Sequence, residues 1–171
     1  MVQHIYKTFA GIIFLATTVS LIFAMAPTHK ISADVFGQSE YRPDLSEIVL
    51  SATDQSVKGV ASDTDIFVEI DPPAVGVSGG AFTGTVALCK ENVIHHHNRD
   101  CIYGAASGTA FSNGHQINYF ATVTITGGDA RYAGAAGSFD LSVYQNGIQD
   151  LANPGVQIPS EFILDGAYSL Q

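Results

Sequence analysis

Apolar and polar residues alternate along most of the chain, and the clearest alternation lies in residues 116–126. One side of that segment carries only apolar side chains, from Ile117, Tyr119, Ala121, Val123 and Ile125. A period of two residues is typical of a β-strand with one buried face. Similar segments predict further strands at residues 47–52, 65–70, 80–89, 101–111, 138–144 and 161–170. From residue 45 onward, no segment has the apolar spacing of a three-turn helix.

Turn residues separate the predicted strands. Asn113-Gly114 predicts a tight turn, and Pro72-Pro73 end the second predicted strand, because proline cannot donate to a central ladder. Residues 34–43 are polar and are predicted to be a loose lead-in. The patterned last strand favours closure against an early one, since an exposed apolar edge invites aggregation. We therefore predict an all-β fold: an antiparallel, closed or nearly closed barrel of about eight strands.

The N-terminus has the layout of a secretory signal peptide. Lys7 gives a basic start, residues 9–26 are almost entirely apolar, and Ala33 is a small residue at which a cut can occur. Ala26 is less suitable because Pro27 follows it. We predict a signal peptide over residues 1–33 and a single β-barrel domain over residues 34–171, secreted to the periplasm or the extracellular medium. The alternative is a retained membrane helix, because about 18 apolar residues is near the lower limit for a span.

Charge excludes several partners. The chain has 7 basic and 16 acidic residues, a net charge of −9. Loss of Lys7 and Lys30 with residues 1–33 would leave 5 basic against 16 acidic residues, a net charge of −11. Such a surface repels nucleic acid and anionic lipid. We predict no nucleic-acid partner and no stable membrane association after cleavage, and the sequence leaves the oligomeric state open.

Cys89 and Cys101 are the two cysteines of the chain. In an oxidising compartment, two nearby cysteines form a disulfide. The loop that it closes is short, so the expected stabilisation is about 2–3 kcal/mol.

Residues 123–139 read VTITGGDARYAGAAGSF. They resemble the signature ITGGTGRFAGATG of allene oxide cyclase and dirigent-like barrel proteins, although Asp129-Ala130 stand where that signature has Thr-Gly. Residues 108–114, GTAFSNG, are similar to the hairpin that precedes the signature in bacterial relatives, and the resemblance extends over residues 80–143. It implies an eight-stranded antiparallel barrel, often secreted, with an apolar cavity in some members. No catalytic acid of the plant proteins matches a position here, so none is carried over.

The glycine-rich loop invites comparison with a phosphate-binding loop. Its notable residues are Gly127, Gly128, Arg131, Tyr132 and Gly134. Phosphate loops need a defined glycine spacing between a strand and a helix, and neither the spacing nor a helix is predicted here. We therefore interpret this segment as a structural loop in which glycines adopt positive φ, Tyr132 packs under the barrel and Arg131 binds loop carbonyls.

Two groups of residues have metal-ligand chemistry. His95 and His97 share one side of an extended segment between the cysteines and could bind zinc, copper or nickel; the alternative is a solvated loop. A row of carboxylates along the second predicted strand could bind calcium, but a solvated outer face is the favoured interpretation. The row comprises Asp63, Asp65, Glu69 and Asp71.

The sequence has neither a nucleophile elbow nor a free cysteine. We therefore predict a non-catalytic small-ligand-binding or structural module, without a cofactor, whose partner is a small apolar ligand in the lumen. Ala105, Gly108 and Ala121 are the inward candidates that leave room for it. One alternative is an isomerase or cyclase-type enzyme that confines an apolar substrate in the lumen, where Asp140 or Asp165 could serve as acid or base. Another is a metal-binding surface protein that uses His95 and His97.

Overall fold

Eight antiparallel strands form a closed barrel in the computed structural model, which describes residues 26–91 and 99–171. The first four are β1 (Thr28–Arg42), β2 (Glu47–Val57), β3 (Ala61–Asp71) and β4 (Gly80–Glu91). The last four are β5 (Arg99–Ser112), β6 (Ile117–Gly128), β7 (Ala135–Gln145) and β8 (Ile158–Leu170). Each strand pairs with the next along the chain, and β8 pairs with β1. The predicted closed antiparallel barrel is confirmed.

Within the described residues, two short helical segments lie between strands. α1 (Val75–Ser78) connects β3 and β4, and a single 3-10 turn (Ala130–Tyr132) connects β6 and β7. In the part of the chain that the structure describes, neither these nor any other helix has the length and apolar character needed to cross a bilayer.

The first strand differs from the prediction. Residues 34–43 are predicted to be a loose lead-in, but all except the last belong to β1. The apolar alternation is hard to recognise here because Gly37 and the fully buried Ser39 occupy inward positions, while Phe36 points outward. β1 also begins at Thr28, so residues 28–33 form part of the barrel wall although the predicted domain starts at residue 34.

Packed side chains occupy the interior of the barrel. Each strand contributes buried apolar residues, including Ile31, Leu50, Ile66, Leu88, Ile102, Val123, Leu141 and Phe162. The buried polar residues among those described are Ser39, Thr64, Gln145, Gln149 and Ser160. None of the described carboxylates is therefore buried in the lumen, which is filled in the manner of small barrels.

A polar network closes one end of the barrel. The Oε1 atom of Gln145 accepts hydrogen bonds from Ser39 Oγ at 2.6 Å and from Tyr119 Oη at 3.4 Å. Gln149 Nε2 donates to Ser39 Oγ at 2.8 Å. Because buried polar groups are costly when unpaired, this network fixes the loop between β7 and β8 against the barrel.

Tyrosines close the opposite end. Tyr132 Oη donates to the carbonyl of Val60 and Tyr168 Oη donates to that of Gly59, each at 2.9 Å. The two rings meet edge to face, with their centroids 6.0 Å apart. The loop between β6 and β7 and the end of β8 are thereby held against the hairpin between β2 and β3.

Alkaline pH is expected to destabilise the barrel through its buried tyrosines. Burial raises the pKa of Tyr132 to about 12 and also raises the pKa values of Tyr119 and Tyr168 above their ordinary value. Tyrosines of the unfolded chain lose their protons near pH 10. The folded state thus holds protons that the unfolded state has lost, and the free energy of unfolding falls as pH rises from about 10 towards about 12.

Urea titrations across that pH range test this expectation. The unfolding midpoint should be constant below about pH 10 and decrease above it. Tyr119→Phe removes one of the three groups and should make the decrease shallower. A midpoint that stays constant up to about pH 12 would contradict this role of the buried phenols.

Candidate functional site

The glycine-rich loop takes part in the closure of the barrel end. Gly127 and Gly134 have positive φ values of 151° and 78°. The guanidinium of Arg131 lies over the Tyr132 ring, with its central carbon 4.7 Å from the centroid. Its Nε is 3.3 Å from an Asp100 carboxylate oxygen, and its Nη2 donates to the carbonyl of Val60 at 3.5 Å. These contacts are with the protein itself. The loop leads through a single 3-10 turn into β7, not into the α-helix that a phosphate-binding loop needs.

A glycine is required at the base of this loop. A Cβ at Gly128 would lie 2.6 Å from the carbonyl oxygens of both Cys101 and Tyr132. The close approach of three backbone segments therefore explains one of the glycines of the motif.

The cysteines form the predicted disulfide. Cys89 and Cys101 face each other across β4 and β5, with their Cα atoms 4.1 Å apart. His95 and His97 lie outside the described residues, so the structure does not place their imidazoles. Within residues 26–91 and 99–171, no three histidine, cysteine or acidic residues come together as a metal site would require.

The predicted row of carboxylates follows the outer face of β3. Asp63, Asp65, Glu69 and Asp71 alternate there with the inward residues Ile66, Val68 and Ile70. Neighbouring strands supply partners: Lys90 Nζ lies 3.4 Å from Asp63 Oδ1, and Thr85 Oγ1 donates to Glu69 Oε2 at 2.7 Å. The row is thus part of a solvated surface.

The three small residues that are predicted to leave room in the lumen do not all point into it. Ala121 and Gly108 point inward, whereas Ala105 is exposed on the outer face, contrary to the prediction. A Cβ at Gly108 would lie 2.8 Å from the side chain of Ala121. The small residue at this position therefore allows β5 and β6 to approach closely.

An open groove lies on the outer face, where β1, β8, β7 and β6 run side by side. Its volume is about 390 Å³. The side chains that give it its chemistry are those of Phe36, Gln116, Asn118, Tyr144, Asn146 and Glu161.

Strand register places these side chains together. Phe36 is directly opposite Glu161, Glu161 is opposite Tyr144, and Tyr144 is opposite Asn118. The two aromatic residues are therefore separated by two strand spacings, about 10 Å along the sheet. Phe36 is 74% exposed and Tyr144 is 39% exposed, so both present ring surface to solvent.

Amide groups form one wall of the groove. Gln116 Nε2 donates to Asn146 Oδ1 at 3.1 Å, and the backbone N–H of Asn146 donates to the carbonyl of Pro159 at 3.0 Å. Once this amide pair is formed, Gln116 still has an acceptor and Asn146 still has a donor. The wall is thus held in place while hydrogen-bonding groups remain for a ligand.

Among the described residues that line the groove, Glu161 is the one carboxylate, and none is a lysine, arginine or histidine. The whole chain carries a net charge of −9. Electrostatics therefore disfavour an anionic ligand here.

A ridge of aromatic rings continues from the groove. The rings of Tyr144 and Phe120 are 5.8 Å apart, and those of Phe120 and Phe111 are 5.9 Å apart. Each of these three residues is out of phase with the buried apolar residues of its strand. That signal is visible in the sequence, but the groove is not, because its walls come from four strands and Phe36 lies in the unrecognised β1.

No protein-family model, curated protein or solved structure matches the chain. The resemblance to allene oxide cyclase and dirigent-like barrels therefore stays a prediction.

Proposed function

We propose that the protein is a secreted, non-catalytic binding module that holds a small ligand in the outer groove rather than in the barrel lumen. The observation that carries this proposal is the contrast between the two spaces. Packed apolar side chains occupy the lumen, whereas the groove is open and combines exposed aromatic rings with amides. Its volume of about 390 Å³ is in the range of small-molecule sites.

The proposal favours binding over catalysis because, among the described residues, no carboxylate, histidine or lysine is buried in the lumen, and the buried phenols are engaged in closing the barrel. An isomerase or cyclase that acts by proton transfer needs a positioned proton donor or acceptor, and one that acts by confinement needs an open lumen, whereas packed apolar side chains occupy this one. Asp140 and Asp165 are exposed and lie opposite each other on the outer face. Asp165 also lies 3.2 Å from Lys30 Nζ. Neither carboxylate reaches an enclosed substrate.

Export is the second part of the proposal. The disulfide between Cys89 and Cys101 is compatible with an oxidising compartment. The apolar run of residues 9–26 supports translocation.

A neutral fluorescent probe tests where ligands bind. We expect N-phenyl-1-naphthylamine to bind saturably and to shift the amide resonances of Asn118, Tyr144 and Glu161 in heteronuclear NMR spectra. Tyr144→Ala should reduce the binding, because the exposed ring supplies much of the apolar surface. Saturable shifts confined to inward residues such as Ala121 and Leu164 would overturn the proposal, and so would a groove that binds neither this dye nor any other small neutral ligand tested.

A further inference from the structure

We infer that the outer groove binds a neutral saccharide, with a sugar ring placed against Tyr144 or Phe36 and its hydroxyl groups bonded to the amides. This inference rests on the proposed function and specifies its ligand class.

Two kinds of surface meet in the groove, and a sugar has both. One face of a pyranose ring carries C–H groups that stack on an aromatic ring, while its rim carries hydroxyl groups that both donate and accept hydrogen bonds. The rings of Phe36 and Tyr144 match the first surface. Amides donate and accept, and a carboxylate accepts, so Asn118, Asn146 and Glu161 match the second.

Wholly apolar ligands fit less well. Such a ligand would remove water from Asn118, Asn146 and Glu161 without replacing their hydrogen bonds. A buried polar group left without a partner is costly, and a charged one more so. A polyhydroxyl ligand returns a hydrogen bond to each of them.

The negative charge of the groove narrows the class of sugar further. The part of the groove that the structure describes contains a carboxylate and no basic side chain, so phosphorylated, sulfated and acidic sugars would meet repulsion and no counter-charge there. Neutral sugars meet no such penalty, and a hydroxyl–carboxylate hydrogen bond is stronger than one between neutral groups.

The groove is also preorganised. Phe36, Glu161 and Tyr144 stand on three adjacent paired strands. The ring of Tyr144 packs edge to face on Phe120 at an angle of 82°, and the bond between Gln116 and Asn146 fixes the amide wall. Side chains that are already ordered lose little freedom when they bind.

A panel of neutral oligosaccharides tests the inference with a chain that begins at Pro27 and therefore keeps the whole of β1. The probes are cellotetraose, maltotetraose, mannotetraose, xylotetraose, galactotetraose and triacetylchitotriose. The binding of each probe is measured by NMR and calorimetry. We expect at least one to bind at millimolar concentration or tighter and to shift the resonances of Asn118, Tyr144 and Glu161. Tyr144→Ala and Asn118→Ala should each weaken it by about tenfold, which corresponds to roughly 1.4 kcal/mol.

Phe111→Ala is the matched control. Phe111 is an exposed aromatic residue on the same ridge but does not line the groove. Its substitution should change the sugar affinity by less than about twofold, an effect well below that of a lost aromatic contact. The urea midpoints of all three variants establish that they remain folded.

The outcomes separate this inference from the proposed function. If N-phenyl-1-naphthylamine binds in the groove but no sugar of the panel does, the saccharide inference is wrong and the binding module stands. If tetramethylammonium binds there and the sugars do not, the site is a cation site and the inference is also wrong. Sugar binding that is insensitive to Tyr144→Ala and Asn118→Ala overturns it too, and if neither dye nor sugar binds, both proposals fail.

Discussion

A chain that begins at Asp34 is expected to be less stable than one that begins at Pro27 by at least about 3 kcal/mol. The difference comes from residues 28–33, which pair with the last part of β8 from Thr28–Ser169 to Ala33–Leu164. Ile31 is fully buried, and burial of one such side chain contributes about 1.5–3 kcal/mol.

Further contacts depend on the same residues. Ser32 exchanges backbone hydrogen bonds with Lys58, at 2.9 and 3.3 Å. His29 stacks on Tyr168 with ring centroids 5.0 Å apart. Without residues 28–33, the end of β8 becomes an unpaired edge, and such edges promote association between chains. We therefore expect the shorter chain to aggregate as well as to unfold more readily.

Urea unfolding and size-exclusion chromatography of the two chains measure this effect. The longer chain serves as the control because it differs only by residues 27–33. The mass of the exported protein provides an independent check: if the barrel includes residues 28–33, the cut lies before Thr28 or the chain is not cut. Two chains of equal stability, or a folded exported protein that begins at Asp34, would show that this part of β1 is dispensable.

Phe162→Ala is expected to destabilise the barrel by about 3–5 kcal/mol, the usual cost of removing a buried ring. The Phe162 side chain is fully buried in the lumen. Each surrounding strand is hydrogen-bonded to a neighbouring strand on both sides, so the strands cannot move inward far enough to fill the cavity that the substitution leaves.

Phe36→Ala is the matched control for this substitution. Phe36 stands on β1 beside Val35, the residue directly opposite Phe162, and it is 74% exposed. Its removal should change the free energy of unfolding by less than about 0.5 kcal/mol, as is usual for surface positions. Urea denaturation measures both. If Phe162→Ala leaves stability unchanged and increases the binding of N-phenyl-1-naphthylamine, the lumen is a ligand cavity rather than a packed core.

Much of the fold follows from the sequence because buried and exposed faces alternate in the strands. The segment of β6 from Ile117 to Ile125 has its apolar residues on one face without interruption, and β3, β7 and β8 have nearly regular patterns. The apolar alternation does not identify β1 as a strand, because the inward positions of β1 include Gly37 and Ser39. Ser39 is tolerated there because Gln145 and Gln149, more than a hundred positions later in the sequence, supply its hydrogen bonds. No local pattern contains that information.

The candidate site is less accessible to sequence reasoning than the fold. The disulfide can be predicted because the chain has two nearby cysteines and a signal for export to an oxidising compartment. The structural role of the glycine-rich loop can be predicted because the sequence after it does not have the pattern of an α-helix. The groove depends instead on which outward residues of β1, β6, β7 and β8 become neighbours. Phe36 and Tyr144 are more than a hundred positions apart in the chain, and only barrel closure between β8 and β1 brings them onto one surface.

The central claim is that ligands bind on the outside of a packed barrel. Intermolecular nuclear Overhauser effects between N-phenyl-1-naphthylamine and the protein test it most directly, because they report which side chains touch the ligand. We predict effects to the ring protons of Phe36 and Tyr144 and none to the methyl groups of Ala121, Val123 and Leu164. Effects to those lumen methyl groups, without any to the two rings, would contradict the account.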